Sequence, residues 1–423
     1  MELPQSDAAL ERFDRLKVRE VKAKDGQTAA AFLAQFQSTA ASLEPDERIK
    51  LEVNMHRSGV ELMKAVLADP QASTICSLRW QHGGKEDVNL VIPLLINSCP
   101  ELASLEVYFK HHFAVGFISS MLEHPSNKIK ELAMPSCLEG DFARFFAALG
   151  QSQVSALTLS SDGSPEFAQD LCEYLAKDLL ARLKVTMYYK QVPPEMLMPL
   201  AKCTRLAKLE MLYCTFSQST VFVHFPKSVT KLELRFCTFA GGFDWSFLAG
   251  SNVRELDLDY VSGVDGNQFG GALAVHLGAK GLDELRFSRC GFVNATLVGG
   301  EIGRIKRLEL DGHLSDASIG LIALVLQSPN SEMKELVLDY SDEMASIKYH
   351  LMPALKHPNC NLIKLSFRAF GLEGEKAAKR MEDMFYKRLA LFVLLQGQQM
   401  RRLYCPLQRL PVEMLRLVGQ VLL

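Results

Sequence analysis

Apolar residues along most of this chain fall into one short frame: apolar, x, x, Leu, x, apolar. Two copies, LAKLEMLYCTF (206–216) and VTKLELRFCTF (229–239), agree from end to end: apolar, x, Lys, Leu, Glu, apolar, x, aromatic, Cys, Thr, Phe. The fourth-position leucines are Leu78, Leu105, Leu132, Leu157, Leu183, Leu209, Leu232, Leu256, Leu285, Leu308, Leu336 and Leu365, spaced 23 to 29 residues apart. A weaker copy, RIKLEV (48–53), places Leu51 before them as a first, capping strand. Side chains at positions four and six share one face of a strand. One such strand cannot bury that face alone, but copies stacked side by side form a parallel sheet with a continuous core. The pattern predicts an α/β solenoid.

The return segments must cover that core. Ser164-Pro165-Glu166 opens an apolar-periodic run to position 179, with Ser as N-cap and Pro at the first helical position. The run 141–149 stops at Gly150, a candidate C′ glycine. Runs 316–326 and 341–355 also read as helices, the second broken or kinked by Pro353. Returns 215–228 and 288–304 are short and Gly-rich or β-branched, with little room for a helix.

The frame LxxLxLxx(N/C) at this period resembles the leucine-rich repeat family, and its helix-bearing length is most similar to the ribonuclease-inhibitor type. The resemblance covers roughly 49–370. It implies a curved horseshoe with a parallel concave sheet and helices or irregular segments on the convex side. Position nine is Cys at Cys137, Cys214, Cys237 and Cys290 and varies elsewhere; in the family frame such a residue tucks under the turn.

Three segments follow: an N-terminal helical cap (1–48), about 12–13 repeat strands (49–371) and a C-terminal cap or docking segment (372–423). The first carries helical patterns at 8–16 and 28–43, and the last a long helical pattern at 373–396. The final stretch, CPLQRLPVEMLRLVGQVLL, resembles the first helix of an F-box through Pro406, Leu407, Leu410, Pro411, Glu413, Leu415 and Val418. The chain ends after one such helix, about half of what an F-box needs.

Composition narrows the functional classes. A net charge of −2 gives no excess of Lys and Arg for nucleic acid or anionic membrane. No apolar run approaches a membrane span, and MELPQSDAALERFDRL has neither a basic nor an apolar signal region. Ten cysteines without tight clustering suit reduced thiols in a cytoplasmic setting. No GxxxxGK[ST], HExxH or GxSxG occurs. His350, His357 and Cys360 would need an i, i+7 helical face interrupted by Pro353 to hold a metal, and 257–267 lacks the closing Glu of a calcium loop. Cys405, near Arg401 and Arg402, has no base placed beside it. The chain reads as a non-enzyme, without cofactor or metal.

Positions three, five and seven line the other sheet face, where equal positions form lateral rows. Position five runs Lys184, Glu210, Glu233, Asp257, Arg286, Glu309. Asp259, Asp311 and Arg235 flank that row at position seven, with Arg235 able to pair with an acid or face a partner. A row of uncompensated carboxylates here suits a protein partner with a basic patch. The aromatics at position eight, Phe109, Tyr213, Phe236, Tyr260 and Tyr340, either pack beneath the strand-to-helix turn or stand at a rim as interface anchors. The expected function is a monomeric protein-binding scaffold. The alternative is a substrate-recognition adaptor of a ubiquitin ligase, docking through Leu410, Pro411, Glu413, Leu415 and Val418; a bacterial effector in a host cell and a resident cytoplasmic protein would share this pattern.

Overall fold

The computed structural model describes residues 17–23, 27–55, 59–82, 91–109, 113–137, 141–160, 164–192, 199–217, 225–240, 243–299, 302–340 and 347–369, together with 379, 382–383 and 385–387. The chain divides into two compact units, Met1–Cys214 and Thr215–Leu423.

In the first unit the strands β1 (Lys17–Lys22), β2 (Glu47–Met55), β3 (Ile75–His82), β4 (Ser104–Phe109), β5 (Glu131–Cys137), β6 (Ala156–Ser160), β7 (Arg182–Gln191) and β8 (Lys208–Phe216) follow one another in chain order. Pairing is parallel, and the frame sets the register: Leu51 lies beside Leu78, Leu78 beside Leu105, Leu105 beside Leu132, Leu132 beside Leu157 and Leu157 beside Leu183. These leucines are buried to the last few per cent of their surface. Helices return the chain between strands, and their starts are written in the sequence. Thr28 caps Ala29–Ala41, Asp141 caps Phe142–Gln151 and Ser164 caps Pro165–Leu175, each side chain accepting an amide hydrogen of the first turn. Trp80 packs edge-on against Phe117, and Phe146 meets Phe167 and Tyr174 between neighbouring helices.

The second unit repeats the plan with β9 (Lys231–Arg235), the short β10 (Thr238–Phe239), β11 (Glu255–Asp259), β12 (Leu282–Ser288), β13 (Ile305–Asp311), β14 (Glu335–Tyr340) and β15 (Lys364–Ala369). Leu232, Leu256, Leu285, Leu308, Leu336 and Leu365 stand side by side in parallel register. Behind them Phe239, Phe243, Trp245, Phe269, Phe287 and Phe292 form a contiguous aromatic core. Asp265 caps Gly266–Ala279 and Ser315 caps Asp316–Gln327.

This arrangement is an α/β solenoid of the leucine-rich-repeat kind. All thirteen framed leucines lie on strands, and several details differ from expectation. The segment read as a helical cap also contributes β1, so RIKLEV is not the first strand: Val21 pairs beside Leu51 and is fully buried. Its copy, VREVKA, keeps the frame with valines in place of leucine. Gly150 lies inside Phe142–Gln151 rather than after it. The return 288–304 does hold a helix, Val293–Gly299, followed by a 3-10 turn at Ile302–Arg304; β-branched residues there are tolerated because tertiary packing overrides their weak helix propensity. Pro353 stands at the start of Met352–Leu355, where the missing N–H costs no helical bond, after a π-helical turn at Ile347–Leu351. The last strand is covered by described residues of the C-terminal segment. Glu382 accepts a hydrogen bond from the Phe367 amide at 2.7 Å, the Tyr386 hydroxyl donates to the Leu365 carbonyl at 3.2 Å, and Phe385 is buried. These contacts occupy backbone groups that an open edge would expose.

Candidate functional site

Alternation along each strand sends positions three, five and seven away from the apolar core, and parallel register aligns equal positions into rows. In the second unit position five carries Glu233, Asp257, Arg286 and Glu309 on β9, β11, β12 and β13, each beside the next. Arg235 bridges Glu233 and Asp257, 3.0 Å from each. Arg286 stands 3.7 Å from Asp257 and 2.9 Å from Glu309, and Arg307 lies 2.9 Å from Glu309. Lys231 joins Glu233 to Glu255, and Arg307 also reaches Glu284 and Glu335. The row read as uncompensated acid is therefore an alternating ion-pair network. Glu309 and Glu233 keep only 2% and 4% of their surface, shielded by the aliphatic stems of the neighbouring cations. At Asp257 burial outweighs the two guanidiniums and pushes its carboxyl above the usual aspartate range. Asp259 is half-buried at the strand end, and Asp311 accepts from the Ser288 hydroxyl at 2.9 Å with Arg289 at 4.0 Å.

In the first unit Lys184 pairs with Glu210 at 2.7 Å, and Lys208 reaches the other Glu210 oxygen at 3.4 Å. A second cluster, absent from the sequence reading, sits on β2–β4. Arg79 lies between Glu52 and Glu106, 3.9 and 3.4 Å away, and stacks on the Tyr108 ring. Its signal was present as the position-five series Glu52, Arg79, Glu106. Between these two clusters the row shrinks to Ala133 and Thr158, with Ser104 and Ala156 at position three. Here the sheet face opens into a hollow of about 280 Å³, with Glu106 and Glu131 on one side and Arg182, Lys184 and Lys208 on the other.

Position eight has a backbone cause. Tyr213, Phe236, Tyr260 and Arg289 all adopt left-handed φ between 50° and 54°, and Gly312 takes the same place with φ 134°. Bulky residues seldom adopt this conformation, which costs about 1 kcal/mol or more each. The amides of Phe236, Tyr260 and Arg289 donate to the carbonyls of Asp259, Ser288 and Asp311 on the next strand. Cys214, Cys237 and Cys290 follow and tuck under the turn, each thiol donating to the carbonyl two residues back. Burial pushes the Cys290 thiol up to about 12, so it is a weak polar plug and not a thiolate. The turn throws position-eight side chains onto a rim: Phe236 stacks on Tyr260 with centroids 4.9 Å apart, and the Arg289 guanidinium lies 4.7 Å over the Tyr260 ring.

His350 turns to Asp316, whereas the His357 ring accepts the Asn359 amide. No group of three or more His, Cys, Asp or Glu side chains suited to a metal occurs among the described residues, nor does a helix long and apolar enough to cross a membrane. The docking residues Leu410, Pro411, Glu413, Leu415 and Val418, like Cys405, lie outside the described residues.

No protein-family profile matches the sequence, and no curated protein matches it. Among solved structures the chain is similar to one in the yeast Rad7–Elc1 complex, with 14% identity, TM-score 0.43 and coverage of 82% of this chain and 85% of that one. It is also similar to the plant peptide hormone receptor RGFR1 in complex with RGF2, with 9% identity and TM-score 0.29, covering 76% of this chain and 43% of the receptor chain. The fold assignment rests on the strand pairing itself.

Proposed function

We propose that this protein is a non-catalytic scaffold that recognises a protein partner through the sheet face turned away from the core, which carries Lys184 and Glu210 in the first unit and Glu233, Arg235, Asp257, Asp259, Arg286, Glu309 and Asp311 in the second. The observation that supports this reading is the network of ion pairs on that face. Side chains tethered in fixed rotamers lose little further freedom on binding, and a rigid charged array selects partners and accelerates encounter more than it adds affinity. Because the buried acids are matched by cations, each unit is read by charge pattern, with basic groups meeting Asp259 and Asp311 of the second and acidic groups meeting Lys184 of the first. Buried thiols at Cys76, Cys99, Cys203 and Cys290, each held in the protonated form by burial, fit a reducing cytoplasmic setting for this role.

The test is affinity capture with the whole chain, followed by binding of the recovered partner to Asp259→Lys and Ala133→Trp. Both positions lie on the sheet face outside the leucine core. Each substitution is expected to weaken binding by at least several-fold, and Asp259→Lys to change its salt dependence. A partner that binds both variants as it binds the parent removes this face from the proposal.

A further inference from the structure

The rim of the second unit holds a feature that the sheet-face reading does not use. Beside Tyr260 and Arg289, the turn after β11 and the turn after β12 enclose a hollow of about 520 Å³. Its walls are mostly apolar: Val261, Val264, Phe292 and Ala295, with the glycines at 263, 266 and 291 and one hydroxyl residue, Ser262. A hollow of this volume falls in the range that accepts a large side chain or small molecule.

The glycines are not equivalent. Gly263 has φ 75°, and a Cβ there would lie 1.9 Å from the Phe239 carbonyl oxygen, so the turn requires glycine. At Gly266 a Cβ would meet Ala295 and Phe292 at 2.8 Å, so glycine lets the two returns approach. At Gly291 a Cβ would meet nothing within 4 Å, and the backbone there is not left-handed. Neither packing nor turn geometry calls for glycine at that position; its effect is to leave the hollow open.

Among the described residues, Arg289 is the one cation lining the hollow. Its guanidinium is held flat by Tyr260, whose hydroxyl it also bonds, while half of the side chain remains exposed. Two carboxylates, Asp311 and Asp259, act on it electrostatically, and the nearer contact is loose: Arg289 Nε is 4.0 Å from Asp311, which also accepts the Ser288 hydroxyl. Asp265 accepts the amides of Asn267 and Gln268. A planar guanidinium has five donors in a fork that suits a carboxylate.

We propose that this rim hollow binds a segment of a partner protein that presents a bulky apolar or aromatic side chain next to an Asp or Glu. The apolar group fills the space between Val261, Val264 and Phe292, and the carboxylate meets Arg289. Tyr and Arg at the lip are the residue types that most often dominate interface energies.

The test pans a phage-displayed library of random 12-residue peptides on the immobilised full chain. Enriched peptides are then titrated by fluorescence polarisation against the parent and three variants. Gly291→Leu fills the hollow. Arg289→Asn removes the cation with a residue that tolerates left-handed backbone. Ala133→Trp alters the sheet face and leaves the rim intact. Enriched peptides are expected to share an aromatic or large aliphatic residue adjacent to an acid. They should lose at least tenfold affinity with both Gly291→Leu and Arg289→Asn, and keep it with Ala133→Trp. Thermal melts of both rim variants matching the parent show that a lost site is not a lost fold. No enrichment, or peptides indifferent to either rim variant, overturns the proposal. Peptides lost with Ala133→Trp alone belong to the sheet face and also overturn it.

Discussion

The two units are built on the same frame, yet their sheet faces differ. In the second, position five is charged on four strands running, and four cations, Lys231, Arg235, Arg286 and Arg307, weave Glu233, Asp257 and Glu309 into one network. In the first, charge centred on position five forms two clusters, Glu52–Arg79–Glu106 and Lys184–Glu210–Lys208, with the small residues Ala133 and Thr158 between them and the position-three pair Glu131–Arg182 reaching across. The core positions cannot vary in this way, because each leucine must fill the space beside its neighbour. The outer positions answer to one another and to solvent rather than to a shared apolar packing space. The contrast separates what holds the solenoid from what it presents.

The largest expected effects should be alike in the two units. Leu132→Ala and Leu285→Ala each remove a fully buried side chain between two strands, and each should cost about 3 kcal/mol in urea unfolding. A difference much beyond about 1 kcal/mol would mean that the cores are not equivalent. The faces should differ more. Glu309→Ala leaves Arg286 and Arg307 without their shared acid in a closely packed network and should cost about 2 kcal/mol. Glu106→Ala, in a more open cluster where Arg79 retains Glu52 and Tyr108, should cost less than about 1 kcal/mol. Equal costs would erase the distinction between network and cluster.

A third effect belongs to the second unit. His276 is buried, its two ring nitrogens 2.8 and 2.9 Å from the carbonyls of Leu248 and Val253. Burial holds its pKa below the ordinary histidine value, against the pull of those carbonyls. The unfolded chain then takes up a proton that the folded one resists, so stability is retained above the ordinary histidine pKa and falls as pH drops below it. Thermal melts at pH 7.5 and 5.5 should show a loss in the parent that is smaller in His276→Gln. The smallest effect is Ala133→Trp, whose side chain enters the hollow on the sheet face; its unfolding midpoint should shift by less than about 0.5 kcal/mol equivalent.

Much of this was legible in sequence. Position-four leucines announced thirteen strands because stacked strands demand one residue type at one place. The cap Ser164 was legible for a similar local reason: a helix needs a side-chain acceptor at its first turn. Strand β1 escaped notice because Val21 replaces the leucine. The acidic row was visible but misread as uncompensated. Arg235 and Arg307 neutralise it from positions seven and three, and which acid each cation reaches depends on rotamer and register. The rim hollow had no signal at all: Gly263 and Gly266 come from one return and Gly291 from the next, and a glycine that opens space looks in sequence like one that makes a turn.

The sequence by itself determined a repeating strand with a buried leucine face, its parallel stacking and the cysteines that tuck under its turns, because these follow from periodicity and burial, which are properties of one repeat. Only the tertiary structure decided which charges cancel, where the sheet face is bare and where the rim is open. Those depend on side chains from different repeats meeting within a few ångströms, and no single repeat encodes that distance.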